Sequence, residues 1–576
     1  MARIRKLEIR HFRGIQALDW APSPGINCLI GPGDSGKSTI LDAIDLCMGA
    51  RRNLQFGDSD FYRLDVDVPL TISTTLGDLD DRLKNLDSYG TYLRGFNKAT
   101  GAIEDEPGDG LETVLTVRLT VQSDLEPAWS LVSDRAVEQG QSRNLAWADR
   151  VKIAPARIGV AADYQLSWGR GSVLTRISDE KLELSSALAK AGREARATFG
   201  DSAAVQLGEV LAAVAATAKE LGIPVGAAVK AMLDVHAVSF SGGVISLHSE
   251  DGVPLRGLGV GSARLLVAGL QRKAAAGANV VLLDELEYGL EPHRIIRLLG
   301  SLGAKVSEPP LQVFMTTHSP VALADLSGTQ VFVTRNAGTM HTVAVVGASD
   351  VCQGTIRKSP DAFLAHSVVV CEGASEVGLV RGLDQHRVST GKTSISALGV
   401  GLVDSGGGDP DRAIERAAMF RAFGYAAAVM RDDDQRPNAA AEAAFVGSGG
   451  TVIAWRDGRC LEQELFWSLP AEAVEKLLGR AVDLMGEELV DDQIKSASSN
   501  AYDHEAVLAL CRGGTLGPEH RVALGKAALS KQNPWFKSVS RMEDVAREIV
   551  GPGLEGADPA FKTTVEALFD WASNAG

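Results

Sequence analysis

Alternating apolar positions open the chain. RIRKLEIRHF over 3–12 and ALDW over 17–20 pattern as two hairpin strands around a turn at Arg13-Gly14, and the unbroken apolar run INCLI at 26–30 reads as a buried strand. GPGDSGKST (31–39) is too rich in glycine for a regular element. The residues after it, ILDAIDLCMGA, space apolar positions 40, 41, 44, 46 and 48 as a helix does. Alternation predicts further strands at 66–76 and 112–122 around a Gly/Asp-rich loop at 100–110. Residues 180–235, rich in Ala, Leu, Glu and Lys, predict an inserted helical arm. Strands are expected again over 236–255, then a helix at SARLLVAGLQRKAAAG. NVVLLDE (279–285) and LQVFMTTHS (311–319) have the continuous apolar runs of strands covered on both faces.

After about residue 350 the pattern restarts. HSVVVCEG (366–373) is strand then turn, SEVGLVRGLDQH a helix, and GVGLVDSGGG (399–408) strand then glycine turn. AIERAAMFRAFG is a helix, and AAAVMRDDD (426–434) a strand ending in acids, which completes a second βαβ unit. From about 470 the chain is mostly helical, with amphipathic stretches around 541–550 and 560–572, and no internal repeat is evident.

Composition narrows the classes. At roughly 150 residues per domain, 576 residues predict about four units. With 45% apolar and 23% charged residues, neither a disordered polymer nor a coiled-coil rod fits. No run approaches the roughly 18 apolar residues of a membrane helix, and MARIRKLEIRHF lacks the apolar core of a signal peptide, so a cytoplasmic protein with no membrane partner is expected. Six dispersed cysteines without a CxxC pair argue against a disulfide framework and a structural zinc site. A net charge of −15 repels polyanions in bulk, so contact with DNA would need a local basic groove or bound cations.

Gly31-x4-Gly36-Lys37-Ser38, between a strand and a helix, fits a phosphate-binding loop. Backbone N–H groups of Gly31, Gly33, Asp34, Ser35, Gly36 and Thr39 would cradle phosphates, Lys37 would reach the β/γ-phosphates, and Ser38 would ligate Mg²⁺. At the end of the core strand, Asp284 suits a magnesium-orienting acid and Glu285 a base that polarises water. The loop, Leu258-Gly259-Val260-Gly261-Ser262, VVLLDE, Gly289-Leu290-Glu291-Pro292 and TTHSP then follow in the order of an ABC-type ATPase head of the SMC-like branch, which this half of the chain resembles. The resemblance implies ATP as cofactor and two heads sandwiching nucleotide, with Gly261 and Ser262 of one head capping the phosphate held by the other. It further implies His318 as γ-phosphate sensor, Arg13 near the nucleotide, and a homodimer or higher even-numbered assembly. Gly259 stands where the usual signature has Ser, so hydrolysis is expected to be weak.

The second half carries different chemistry. Glu372 closes a buried strand, Glu376 lies in the first turn of the next helix, and Asp432 and Asp434 share one side of another strand end. Four gathered carboxylates stay ionised at neutral pH when hard divalent cations neutralise them, which implies two Mg²⁺ or Mn²⁺ ions and phosphodiester cleavage. Strand-EGASE-helix, GVGLVDSGGG and strand-DDD together resemble the Toprim fold of topoisomerases, primases and some nucleases. Asp433 reads as a spacer, with a one-residue frame shift open. Glu462 in LEQEL is a further metal ligand, with Glu464 as the alternative, and Lys537 in NPWFKS offers a cation for a pentavalent phosphate or else a plain surface lysine.

An ABC head followed by Toprim resembles the OLD (overcoming lysogenisation defect) nucleases, including the nuclease subunit of the Gabija anti-phage system. The implied fold is α/β: ATPase head at 1–179 and 236–350, helical dimerisation arm at 180–235, Toprim nuclease domain at 360–470 and a helical region at 471–576. The implied activity is metal-dependent DNA endonuclease in anti-phage defence, gated by nucleotide, with DNA as substrate and a helicase partner in the Gabija case. The rival is an ATP-clamped DNA-binding or sensing protein with an inert Toprim that recruits a separate effector. A topoisomerase would need a nucleophilic tyrosine, and none of the seven lies in a helix-turn-helix context. DNA specificity, the trigger, oligomer size and whether ATP is hydrolysed or only sensed are not legible in the sequence.

Overall fold

The computed structural model describes residues 2–51, 54–158, 247–273 and 279–575, and between 159 and 246 chiefly the helix Gly208–Glu220. It divides into two compact units, one of Met1–Arg13, Ala21–Ile26 and Ile40–Met315, the other of Gly14–Trp20, Asn27–Thr39 and Thr316–Gly576.

The opening strands form where their alternation places them: β1 (Arg3–Phe12), β2 (Ile15–Trp20) and β3 (Ile26–Ile30), all five residues of β3 being buried. Helix α1 (Lys37–Met48) starts inside the glycine-rich segment, three residues before its apolar periodicity. In the first unit β4 (Leu70–Gly77), β5 (Leu93–Phe96), β6 (Ile103–Glu104) and β7 (Glu112–Val121) join β1 in the antiparallel order β6-β5-β7-β4-β1. β8 (Pro127–Val132) pairs with β7. Arg5 on β1 clamps Glu112 on β7 through two hydrogen bonds, Nε to Oε2 at 2.9 Å and Nη2 to Oε1 at 2.8 Å. The same unit holds the parallel ladder β9 (Ala156–Ile158), β10 (Val280–Leu283) and β11 (Gln312–Thr316), with α2 (Val260–Lys273) between β9 and β10 in the chain.

Two expectations fare differently here. Gly208–Glu220 is a helix as the composition of 180–235 requires, the rest of that arm lying mostly outside the described residues. The strands expected over 236–255 fall mostly outside them too. The described part, 247–255, is a turn closed by an isolated bridge between His248 and Pro254, because SEDG (249–252) bends the chain through Gly252 at φ +77°.

In the second unit β2, β13 (His341–Val345), β12 (Val331–Asn336) and β3 lie side by side. A separate four-stranded parallel sheet follows in the order β15-β14-β16-β17, with β14 Ser367–Cys371, β15 Val400–Asp404, β16 Ala426–Arg431 and β17 Thr451–Ala454. Helix α3 (Ala374–Ser389) follows β14, α4 (Asp411–Ala422) follows β15, and α5 (Leu461–Ser468) follows β17. The sequence reading missed β17, four residues flanked by glycine and tryptophan. The C-terminal helices share one core with β14 and β16, including the fully buried Trp535, Phe536 and Phe466. Packing of α3 against the helix α6 (Val539–Val545) is unusually close. A Cβ on Gly378 would lie 2.5 Å from the Val539 carbonyl oxygen, and one on Gly382 2.1 Å from that of Glu543.

Candidate functional site

The loop between β3 and α1 is a backbone cradle. Gly31 has φ +145° and a Cβ there would fall 2.3 Å from the Thr334 carbonyl oxygen, so only glycine fits; Gly36 sits at φ +87°. Lys37 is buried and folded over its own loop, its Nζ donating to the carbonyls of Gly31 (2.9 Å) and Pro32 (2.8 Å) and to Ser35 Oγ (3.3 Å). Those acceptors occupy the ammonium where phosphate oxygens would engage it in a nucleotide complex. Gly33, Asp34 and Ser38 are exposed around it, Thr39 is half-buried, and Ser35 is buried. His318, also in this unit, is exposed just past β11, beside Ser319, which caps the helix Pro320–Asp325.

Asp284 and Glu285 belong to the other unit, in a turn after β10 where Glu285 takes φ +48°. Sequence reasoning missed what holds that turn. Arg264 on α2 is fully buried and donates to three backbone carbonyls, those of Asp284 (3.0 Å), Glu285 (3.0 Å) and Tyr288 (2.8 Å). Gly261 packs against the same turn, a Cβ there meeting the Gly289 carbonyl oxygen at 2.3 Å, while Ser262 Oγ accepts from Arg294 at 2.8 Å. The start of α2 and the acidic turn are thus held together by hydrogen bonds and close packing. Arg13, expected near nucleotide, is engaged by Asp42 and Asp60 of its own unit.

The acidic residues of the second half come together. Glu372, Glu376, Asp432, Asp434, Glu462 and Lys537 all line one cavity of about 310 Å³ at the C-terminal ends of β14 and β16. Glu372 Oε2 accepts from the Asp432 N–H at 3.0 Å, Glu376 Oε2 from Gly373 N–H at 2.9 Å, and Asp432 Oδ1 from Leu461 N–H at 2.9 Å. Glu462 Oε1 accepts from Ser375 Oγ at 3.2 Å.

Their electrostatics are strained. Burial raises Glu372, and the charge of Asp434 adds to it. Burial and then Glu462 and Glu372 raise Glu376. Asp432 is raised far beyond the usual carboxylate range by burial, then by Glu376, Glu462, Glu372 and Asp434. Such mutual repulsion, in a set made of hard oxygen donors, is the chemistry that Mg²⁺ or Mn²⁺ relieves. Among the described residues, however, no three His, Cys, Asp or Glu side chains are disposed to grip one ion as they stand. Single oxygens of Glu372, Glu376 and Asp432 are engaged by backbone amides.

Neighbouring acids separate cleanly. Glu464 is buried between Arg456 and Arg459, Nε to carboxylate at 3.0 and 2.5 Å, and Asp433 accepts from Gly458 N–H at 2.9 Å. Neither lines the cavity. Asp404 and the turn Gly406–Gly408 do, and were missed as site residues. Gly406, Gly407 and Gly408 all have positive φ, and the Gly407 N–H donates to the Glu372 carbonyl at 2.8 Å. Three consecutive glycines after a strand ending in Asp were the available signal.

Comparison with known proteins bears on the first half. Over 179 residues the chain is 25% identical to the DNA replication and repair protein RecF of Porphyromonas gingivalis, covering 31% of this chain and 38% of that relative. Against RecF of Vibrio vulnificus it is 54% identical over 43 residues, 8% of this chain and 12% of the relative. The chain thus spans well under half the length of these curated relatives. Among solved structures it is similar to an Smc head bound to the C-winged helix domain of ScpA (15% identity, TM-score 0.32, 59% of this chain and 96% of that one). It is likewise similar to the Smc head with an extended coiled coil bound to the C-terminal domain of ScpA from Pyrococcus furiosus (12%, TM-score 0.34, 60% and 96%). The family described as "AAA domain, putative AbiEii toxin, Type IV TA system" matches residues 26–324, which run from β3 through the loop, α2 and the acidic turn to His318. Matched over more than half its length, this chain belongs to that family and carries its P-loop ATPase domain.

Proposed function

We propose that the chain is an ATP-binding, divalent-metal-dependent DNA endonuclease of OLD type, whose Toprim-like C-terminal region cuts and whose ATPase head gates the cut. The observation that supports it is the shared cavity, in which Lys537 lies with six carboxylates, those of Glu372, Glu376, Asp404, Asp432, Asp434 and Glu462. Glu372, Glu376, Asp432, Asp434 and Glu462 are the residues to hold Mg²⁺ or Mn²⁺, which when bound supply Lewis acidity toward a phosphodiester and an ionised water. Lys537 faces the phosphate and offsets the negative charge that grows in the transition state. Trp535 and Phe536, both fully buried, fix its backbone, the Trp535 indole donating to Gln493 Oε1 at 2.6 Å. The glycine turn 406–408 leaves the mouth without side-chain bulk beside Glu372. In the head, Lys37 and Ser38 are the residues to hold ATP and its Mg²⁺, and Asp284, Glu285, Gly261, Ser262, His318 and Arg13 keep the nucleotide-directed roles that the resemblance to SMC-like heads implies for them. RecF, by its name a DNA replication and repair protein, fits a DNA-directed head. A role in anti-phage defence, with or without a helicase partner, follows from the same OLD-type reading.

Nicking of supercoiled plasmid by the pure chain, with Mg²⁺ or Mn²⁺ and with or without ATP, tests the reading. Glu372→Ala and Lys537→Ala are each expected to slow cutting by at least about 100-fold, the scale of losing one transition-state contact. Undiminished cutting by Glu372→Ala would sink it. The carboxylate hydrogen bonds to backbone amides favour a second reading, an ATP-clamped DNA-binding or sensing protein with an inert acidic cavity. Absence of metal-dependent cutting, with DNA binding intact, would select that one.

A further inference from the structure

Helix α3 touches two cavities. Glu376 at its N-terminal end lines the acidic one, and His386 and Arg387, about 16 Å further along the axis, line another of about 430 Å³. This second wall is cationic. Lys392 and Lys562 join His386 and Arg387, against Glu555 and Glu566. No ion pair within 4.0 Å engages Arg387, Lys392 or Lys562 among the described residues, although Lys562 and Glu566 are one helical turn apart.

Arg387 is the informative side chain. Its guanidinium lies 4.1 Å over the Phe569 ring, and its Nε is buried with no hydrogen-bond acceptor. Stacking on an aromatic face uses the plane of the guanidinium and leaves its edge donors for an in-plane oxyanion, the geometry by which arginine takes phosphate. The helix end does not oppose an anion with bare carbonyls. The His386 carbonyl accepts from Ser389 Oγ and Thr390 N–H, and the Arg387 carbonyl from Thr390 Oγ1 and Lys392 N–H. The volume lies in the range of small-molecule sites.

We propose that this cavity binds a phosphorylated small molecule of nucleotide size, its phosphates held by Arg387, Lys392 and Lys562. The site is separate from the loop at 31–39 and from the acidic cavity, and stands whether or not the chain cuts DNA.

The test titrates ADP and pyrophosphate into the full chain carrying Lys37→Ala, which disables the head loop, and follows binding by calorimetry. Saturable binding is expected, weakened at least tenfold by the pair Lys392→Gln and Lys562→Gln, and tightened at least twofold by Glu566→Gln. Both lysines are without ion pairs, so the fold should persist, as circular dichroism and Tm would show. Failure of both probes to saturate at millimolar concentration, or indifference to the lysine pair, overturns the proposal. A third arm uses a DNA duplex: if only duplex binding falls in the lysine variant, the wall serves a nucleic-acid backbone and the small-molecule site is refuted.

Discussion

At the scale of single residues, position two apart decides everything in the acidic region. Glu462 and Glu464 share a helix and a composition, yet one lines the cavity and the other is neutralised by two arginines. No spacing rule could separate them, since the partners Arg456 and Arg459 are brought up by a bend in the chain. Asp432 and Asp434 lie past the end of β16 at Arg431, where strand alternation no longer applies, yet both line the cavity while Asp433 turns to Gly458. The raised Asp432 gives a prediction with a sign. A carboxyl whose folded pKa exceeds its unfolded value stabilises the fold below the unfolded value, and that contribution is lost as pH rises through the folded one. Asp432→Asn keeps an acceptor for Leu461 N–H and removes the charge. In metal-free buffer at pH 8 it is expected to raise stability by about 1 kcal/mol or more, one pK unit being about 1.4 kcal/mol, while abolishing any Mg²⁺-induced gain in Tm. A lower metal-free Tm would show that the repulsion is not felt.

At the scale of elements, alternation announced the long strands β1, β4 and β7, continuous apolar runs announced β3, β10 and β11, and many of the short partners were lost. β5, β6, β8, β9, β12, β13 and β17 are six residues or fewer, and pairings such as β5 and β8 with β7, or β17 with β16, are non-local facts that a window of sequence does not contain. The clamp between β1 and β7 is of the same kind, with 107 residues separating Arg5 from Glu112. Burial opposes the Glu112 charge, but Arg5, the Asp78 N–H and Lys98 together outweigh it and hold the carboxyl below its usual range. A depressed carboxyl contributes stability above its unfolded pKa, and loses it as pH falls through the folded value. Denaturant midpoints of the first unit should therefore fall between pH 5 and pH 3. Arg5→Met should be less stable by about 2 kcal/mol at pH 7, the scale of a charged hydrogen bond, and should show a flatter acid limb. An unchanged limb would mean that Glu112 is not the group responsible.

At the scale of the whole molecule, the order of motifs was legible and the supporting network was not. Arg264 looked like any helix residue until its three carbonyl partners were seen. Substituting Gly31 by Ala drives a methyl group into the Thr334 carbonyl and should remove ATP binding, measured by a fluorescent analogue. Metal-dependent cutting without ATP should survive in that variant, since nucleotide is the regulator and not the driver in the proposed scheme. Cutting that vanishes alongside ATP binding would contradict the gating.

The contact between α3 and α6 has one more consequence. Two hydrogen atoms, at Gly378 and Gly382, stand where any other residue would hold a methyl group, and α6 begins two residues after Lys537. The pair acts as a spacing gauge: a single added carbon at Gly382 must push one rod outward and carry the lysine with it. Gly382→Ala would then change the distance between Lys537, ahead of α6, and Glu376, on α3.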